Sequence, residues 1–173
     1  MEGNLSREAY MNNRIEAITK EIIKDYNVNY FYNQIMNKCL ADLYNSIADA
    51  SVYYPDFNFW YKEKVIPGII NRTRDLIMEY RDGIIAGISI VKHEEKKLCT
   101  LRVLDPYLNK GIGLKLFDSC FSVLETEKPF LTVSEEKLPE FEKLFKYYGF
   151  KLTSIHKDLY RKNKIEYFYN EGC

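Results

Sequence analysis

Residues 98–124, LCTLRVLDPYLNKGIGLKLFDSCFSVL, constrain this chain more than any other stretch. Leu98, Thr100, Arg102 and Leu104 alternate with Cys99, Leu101 and Val103, which is the two-residue period of a strand. Asp105-Pro106 ends that strand near Leu104, because proline cannot supply the next ladder donor. Ile112, Leu116, Phe117, Cys120 and Leu124 then recur at helical spacing, so a helix starts inside the loop Leu108-Asn109-Lys110-Gly111-Ile112-Gly113. The two glycines let the backbone turn and let a ligand come close to it, while the N–H groups of the first helical turn lack partners. Such an end attracts anions, and a pyrophosphate is its usual guest. Glycines one residue apart also make plain strand-to-helix turns, so the motif alone leaves both readings open.

The chain has 173 residues, of which 46% are hydrophobic, enough for one domain with a real core. Residues 1–13 are polar and read as a flexible lead-in to a single domain over 14–173. No apolar run approaches the ~18 residues of a bilayer span, and the start MEGNLSREAYMNNR has no apolar signal core, so a cytoplasmic location is expected. Twenty-five basic and twenty-five acidic residues cancel, which argues against a nucleic-acid binder. Cys39, Cys99, Cys120 and Cys173 are scattered and there are only two histidines, so neither a disulfide framework nor a metal site is expected. Cys99 and Cys120 read as core filler.

Around the glycine loop the pattern is mixed α and β. Residues 14–26 fit a helix or a strand equally well. Residues 28–48 carry Phe31, Ile35, Cys39, Leu43 and Ile47 at steps of four and read as a long amphipathic helix. A loop over 50–58 and a short helix over 59–66, stopped at Pro67-Gly68, follow. Tyr53, Tyr54, Phe57, Phe59, Trp60 and Tyr61 form an aromatic group that either packs helices on a sheet or walls a substrate pocket. Residues 74–80 and 84–92 are strands joined at Asp82-Gly83, a strong hairpin signal, and a second hairpin through His93 leads into the strand at Leu98. Residues 128–134 make a short buried strand, parallel to that one through a right-handed crossover. Parallel strands of this kind can open a slot at their C-terminal ends, beside the glycine loop. Leu138–Tyr148 is a helix with Pro139 in its first turn and Gly149 as its cap. Phe150 opens a strand to about Tyr160, and 165–169 returns as its hairpin partner.

Two motifs in this order resemble the GNAT superfamily of N-acetyltransferases. Leu108 to Gly113 is similar to the family's Q/R-x-x-G-x-G/A loop, with Gly111 and Gly113 at the small positions and Leu108 replacing the polar residue. Leu144-Phe145-Lys146-Tyr147-Tyr148-Gly149-Phe150 resembles the family's L-Y-x-x-x-G-F at Leu144, Gly149 and Phe150.

The resemblance implies an α/β (α+β) domain: a mixed central sheet with antiparallel N-terminal hairpins, a parallel βαβ pair forming a V-shaped slot, helices on both faces and a C-terminal hairpin. It implies acetyl-CoA as co-substrate, with no metal. The pyrophosphate would lie on the amides of Asn109, Lys110, Gly111, Ile112, Gly113 and Leu114, beside Leu108, and the thioester carbonyl on a backbone N–H near Val103 or Leu104. Ser134, Phe141 and Phe145 would complete the acyl-CoA site. The acceptor would be a small-molecule or protein amine, with aminoacyl-tRNA the one nucleic-acid exception, and no membrane is involved. Oligomeric state is not legible. The family's acidic tyrosine falls on Phe145, which cannot donate a proton, so Tyr148 is the replacement on the same helix face. No carboxylate stands at 97–99, where the family's base is expected, leaving Glu79, Glu95 or a water chain. An acyl-CoA-binding module without turnover is therefore the second reading.

Overall fold

The computed structural model of the protein describes residues 28–172, with side chains from Gln34 onward. The polar segment 1–13, the ambiguous run 14–26 and Cys173 lie outside the described residues. Two compact units, Met1–Leu43 and Tyr44–Cys173, divide the chain. Helix α1 (Val28–Ile47) crosses that boundary; in its first-unit part Leu40 and Leu43 are buried, whereas Ile35 and Cys39 are exposed. Steps of four advance about 40° round a helix, so five positions at that spacing sweep about 160° and cannot share one narrow face.

In the second unit a 3-10 turn (Ala48–Val52) leads into α2 (Phe57–Trp60), a π turn (Tyr61–Val65) and α3 (Ile66–Ile70). This path runs straight through Pro67-Gly68, where the sequence suggested a stop. The widened π turn accommodates a proline that has no N–H and whose ring would press on the carbonyl four residues earlier.

Strands β1 (Arg74–Arg81), β2 (Ile84–Lys92) and β3 (Lys97–Val103) form an antiparallel sheet in that order. The expected turn is present: Asp82 and Gly83 have φ of 50° and 76°, the pair of positive values a tight two-residue hairpin requires. His93, expected as a solvated turn residue, is only part exposed and places Nε2 3.1 Å from Asp75 Oδ2.

Helix α4 (Ile112–Leu124) crosses to β4 (Leu131–Ser134), and α5 (Leu138–Tyr148) leads to the hairpin β5 (Leu152–Lys157) and β6 (Ile165–Tyr169). The second sheet has the order β4-β6-β5, with β6 in the middle. Strand β5 stops short of Tyr160 because Asp158, at φ 63°, turns the chain and donates its N–H to Lys164 O at 2.9 Å. The single mixed sheet expected from the sequence is thus two antiparallel three-stranded sheets, joined by one parallel bridge between Lys97 and Phe130.

Phe117, Cys120 and Leu124 of α4 and Phe145 of α5 are buried with Leu98, Leu131 and Val133. Burying side chains of this size contributes about 1.5–3 kcal/mol each. Helix α4 lies so close on the first sheet that a Cβ at Gly87 would sit 2.7 Å from Ile112 Cγ2 and 2.8 Å from Leu116 Cδ1. No helix among the described residues is long and apolar enough to cross a membrane.

Candidate functional site

The bridge between the sheets lies at the start of both parallel strands. Leu98 N–H donates to Phe130 O at 2.9 Å, and Phe130 N–H donates to Lys96 O at 3.0 Å. Beyond it, among the described residues, β3 pairs only with β2 and β4 only with β6, so the two strands part toward their C-terminal ends. The gap is lined by Leu98, Cys99, Thr100 and Leu101 of β3, Leu131, Thr132 and Val133 of β4, and Phe117, Phe141 and Phe145 above them. It is an apolar slot with backbone edges on two sides.

The glycine loop sits at the open end, where β3 finishes. Asn109 and Gly111 both have positive φ, 58° and 78°. Gly111 is the N-cap of α4; among the described residues no side chain caps it, and a Cβ there would touch nothing within 4 Å. The first helical bond is Lys115 N–H to Gly111 O at 3.2 Å, which leaves the amides of Ile112, Gly113 and Leu114 without intrahelical acceptors. Leu108, Asn109, Lys110 and Gly111 are exposed; the Ile112 side chain is buried in the core, so only its amide can meet a ligand. Gly113 lies over Val103 and Leu144, with room for a Cβ at 3.7 Å.

Register explains which amides of β3 face the slot. Ile90 pairs with Thr100 but Val91 with Leu98, so Cys99 is the extra residue of a β-bulge. The bulge puts Leu98 and Leu101 against the same core, which strict alternation would not. Leu104, named from the sequence as a carbonyl-polarising donor, gives its N–H to Ala86 O at 2.9 Å and is not available. By ladder alternation the N–H groups of Val103 and Leu101 point away from β2, toward the gap. Cys99 is not simple core filler either: its Sγ accepts from Arg74 Nη1 at 3.0 Å.

The proton-transfer candidates fall elsewhere. Tyr148 stacks among Phe117, Phe121 and Phe150 and donates its hydroxyl to Asp118 Oδ1 at 2.8 Å, 3.4 Å from Leu114 O. Burial, then Asp118, pushes its phenol well above the ordinary value. It is absent from the slot lining and ties α5 to the first turns of α4, because the residue at the family's position, Phe145, takes the slot-facing place instead. Tyr147 is exposed. Glu95 is engaged by Lys92, which holds its carboxyl below the usual range, and Glu79 lies opposite Gly87, beside a bulge of β2 at Ala86.

A buried carboxylate that the sequence did not single out lies beside the slot. Glu166 on β6, opposite Ser134 of β4, is 4% exposed. Tyr54 O–H donates to its Oε1 at 3.0 Å, and the Thr132 hydroxyl faces both Glu166 and the Tyr160 phenol. Burial is the main cause that raises the Glu166 pKa, against the pull of Thr132 and Tyr54. Burial and the nearby carboxylate hold Tyr54 protonated, and the Ser134 backbone meets the same phenol oxygen. The Ser134 hydroxyl itself is buried and finds no hydrogen-bond partner among the described residues. The aromatic group of the sequence therefore divides: Phe57 and Tyr61 pack on Tyr44, Phe59 is exposed, and Tyr53 and Tyr54 reach the β5–β6 hairpin. Among the described residues no group of three or more His, Cys, Asp or Glu could hold a metal.

No family model matches the sequence, and no curated protein does. Among solved structures, the chain is similar over 63% of its length to a GNAT-family protein from Desulfovibrio desulfuricans, at 16% identity and a TM-score of 0.53, covering 74% of that chain. It is similar over 62% of its length to the ribosomal-protein-S18-alanine N-acetyltransferase of Escherichia coli, at 16% identity and a TM-score of 0.51, covering 74% of that chain. At such identity the likeness is one of architecture. Together with the parted strands and the uncapped helix between them, it shows that this chain has the GNAT acetyltransferase fold.

Proposed function

We propose that the protein is an acetyl-CoA-dependent N-acetyltransferase that passes the acetyl group directly to an amine. The observation that carries this reading is the single bridge at Lys97 and Phe130, which leaves a slot ending at the uncapped N-terminus of α4. The amides from Asn109 to Leu114 hold the pyrophosphate, helped by the positive end of the helix dipole. The Leu101 and Val103 amides bond the pantetheine arm, and one of them polarises the thioester carbonyl. Phe117, Phe141 and Phe145 keep water away from the reacting carbon.

Acetyl-CoA supplies an activated acyl carbon. The acceptor nitrogen, once neutral, attacks that carbon, a C–N bond forms, and the C–S bond breaks to release CoA. Direct transfer fits the thiols: burial pushes Cys120 up to about 11, so at neutral pH it is a poor nucleophile. Tyr148 in this reading is a positioning residue that steadies α4 under the pyrophosphate, and not the acid inferred from the sequence.

A second reading, acyl-CoA binding without turnover, is favoured by one observation: the phenol offered as the acid is committed to Asp118. Thiol release with a panel of primary amines, alongside calorimetry of acetyl-CoA binding, separates the two. Release of CoA above the hydrolytic background supports transfer; tight binding with no release supports the module.

A further inference from the structure

Cys99 stands at the closed end of the slot. It is the bulged residue of β3, one position past the Leu98 amide that bonds Phe130, and it lines the gap together with Thr100 and Thr132. Arg74, whose Nη1 donates to Sγ at 3.0 Å, reaches it from β1 across the width of β2. The Arg74 stem packs on Gly68, where a Cβ would sit 2.6 Å from Cδ, and its guanidinium lies 5.9 Å from the Trp60 ring. Arg74 is 9% exposed and forms no salt bridge among the described residues. A neutral thiol is a weak acceptor for a buried cation, whereas a thiolate is a full countercharge. The contact therefore favours the reactive form of this sulfur.

The length of the slot decides what meets that sulfur. Gly113, in the first turn of α4, lies over Val103, so a pyrophosphate on the helix end is beside the same residue. The arm joining the pyrophosphate of CoA to its sulfur has about twelve bonds, and an extended residue spans three, so the arm reaches about four residues. Four residues back along β3 from Val103 is Cys99. We propose that Cys99 is a modification site at which, under a peroxide, the protein forms a mixed disulfide with the CoA lying in its own slot. The inference rests on the acyl-CoA reading of that slot. The Cys99 thiolate attacks one peroxide oxygen, the O–O bond breaks, and hydroxide leaves to take up the proton Cys99 gave away. The CoA sulfur then attacks the sulfenic sulfur, the S–O bond breaks, and water leaves with the CoA proton. Two thiols lose two electrons in all, and the peroxide gains them. The adduct fills the slot and shuts out acetyl-CoA until a dithiol reverses it by exchange.

Titratable and charged groups act on this thiol from each neighbouring element. Arg74 comes from β1, Lys97 from β3, Glu95 from the turn before it, Tyr160 from the β5–β6 hairpin and Cys120 from α4. Burial raises the Cys99 pKa, and Arg74 is the first of the causes that oppose it. Selectivity then comes from the partner, because a CoA held in the slot presents its sulfur at a high effective concentration that a free thiol lacks. The other described cysteines are placed differently: Cys39 is exposed, Cys120 is buried in the core, and neither lines the slot.

The test treats the reduced protein with CoA and hydrogen peroxide across neutral to alkaline pH, with glutathione at the same concentration in parallel. Intact mass, peptide maps and acetyl-CoA affinity are the readouts. The wild type is expected to gain one CoA less two hydrogens on Cys99, at least tenfold faster than it gains glutathione there, and to lose acetyl-CoA binding. Dithiothreitol restores both mass and binding. Cys39→Ser leaves the Cys99 adduct in place, and Cys99→Ser removes it. Arg74→Gln takes away the cation beside the thiolate, so the rise of adduct rate with pH moves to higher pH, and Arg74→Lys brings it back toward the wild type; a packing role alone would not move that rise. A protein that binds acetyl-CoA yet forms no CoA adduct on Cys99, or forms the glutathione adduct there as fast, overturns the assignment and leaves the acyl-CoA site standing. Failure to bind acetyl-CoA removes both readings together.

Discussion

The Leu98 amide donates to the Phe130 carbonyl at 2.9 Å, and this contact closes the slot at one end. One residue further on, the bulge at Cys99 turns the rest of β3 so that its spare amides line the gap. Pairing and parting of the same two strands thus create both the floor and the walls of the site.

Gly87 reports how closely α4 lies on that sheet. Gly87→Val would drive side-chain atoms into Ile112 and Leu116, and the Arg102 carbonyl at 3.1 Å blocks retreat. Overpacking of this kind costs about 1–3 kcal/mol. Urea denaturation should show a lower midpoint with an unchanged slope.

Phe145 is 4% exposed and packs on Phe141, Phe150 and Tyr169. Phe145→Ala should lose about 3–5 kcal/mol of stability. Phe145→Leu, which keeps most of the volume, should fold and yet bind acetyl-CoA more weakly, as read by calorimetry.

Glu166 gives stability a pH dependence of definite sign. Its folded pKa is raised, chiefly by burial, so the native state holds a proton that the unfolded chain releases. Stability therefore falls as pH rises from the ordinary carboxylate range through the folded value. Glu166→Gln should melt level with the wild type in acid and above it at pH 8.

The opposite sign holds at the hairpin tip. Lys164 first, then Arg161, pulls Glu136 down to about 2. That stabilisation is present above the usual carboxylate range and is lost as pH falls toward this value. These groups are partly solvated, so Glu136→Gln should cost about 1 kcal/mol or less at pH 7, and the difference should vanish in strong acid.

Local signals explain what was legible in the sequence. Asp82-Gly83, the glycine loop and Gly149 are positions where the backbone adopts positive φ, and few residues do so cheaply. Their spacing revealed the hairpin, the helix start in the loop and the end of α5. Glu166 was not legible for a physical reason: in Ile165-Glu166-Tyr167-Phe168-Tyr169 a polar residue between apolar ones reads as solvent-facing. It is buried because β6 is the central strand and Tyr54, 112 residues earlier, covers its other face. The bulge at Cys99 was equally hidden, since an extra residue in a strand leaves the composition unchanged and shows only in the partner's register.

Leu114 separates fold from ligand at the helix end. It is 39% exposed in the first turn of α4. Leu114→Glu places a negative charge where the dipole favours it, worth about 0.3–1 kcal/mol to the helix, but where a pyrophosphate would be repelled. Thermal stability should hold or rise while acetyl-CoA affinity falls at least tenfold.

The most direct measurement is a two-dimensional amide spectrum of the 15N-labelled protein during titration with acetyl-CoA. The signals of Ile112, Gly113 and Leu114 should move together with those of Leu101 and Val103, while β1 and β5 stay still. Saturating acetyl-CoA that leaves those five amides unmoved would contradict the account.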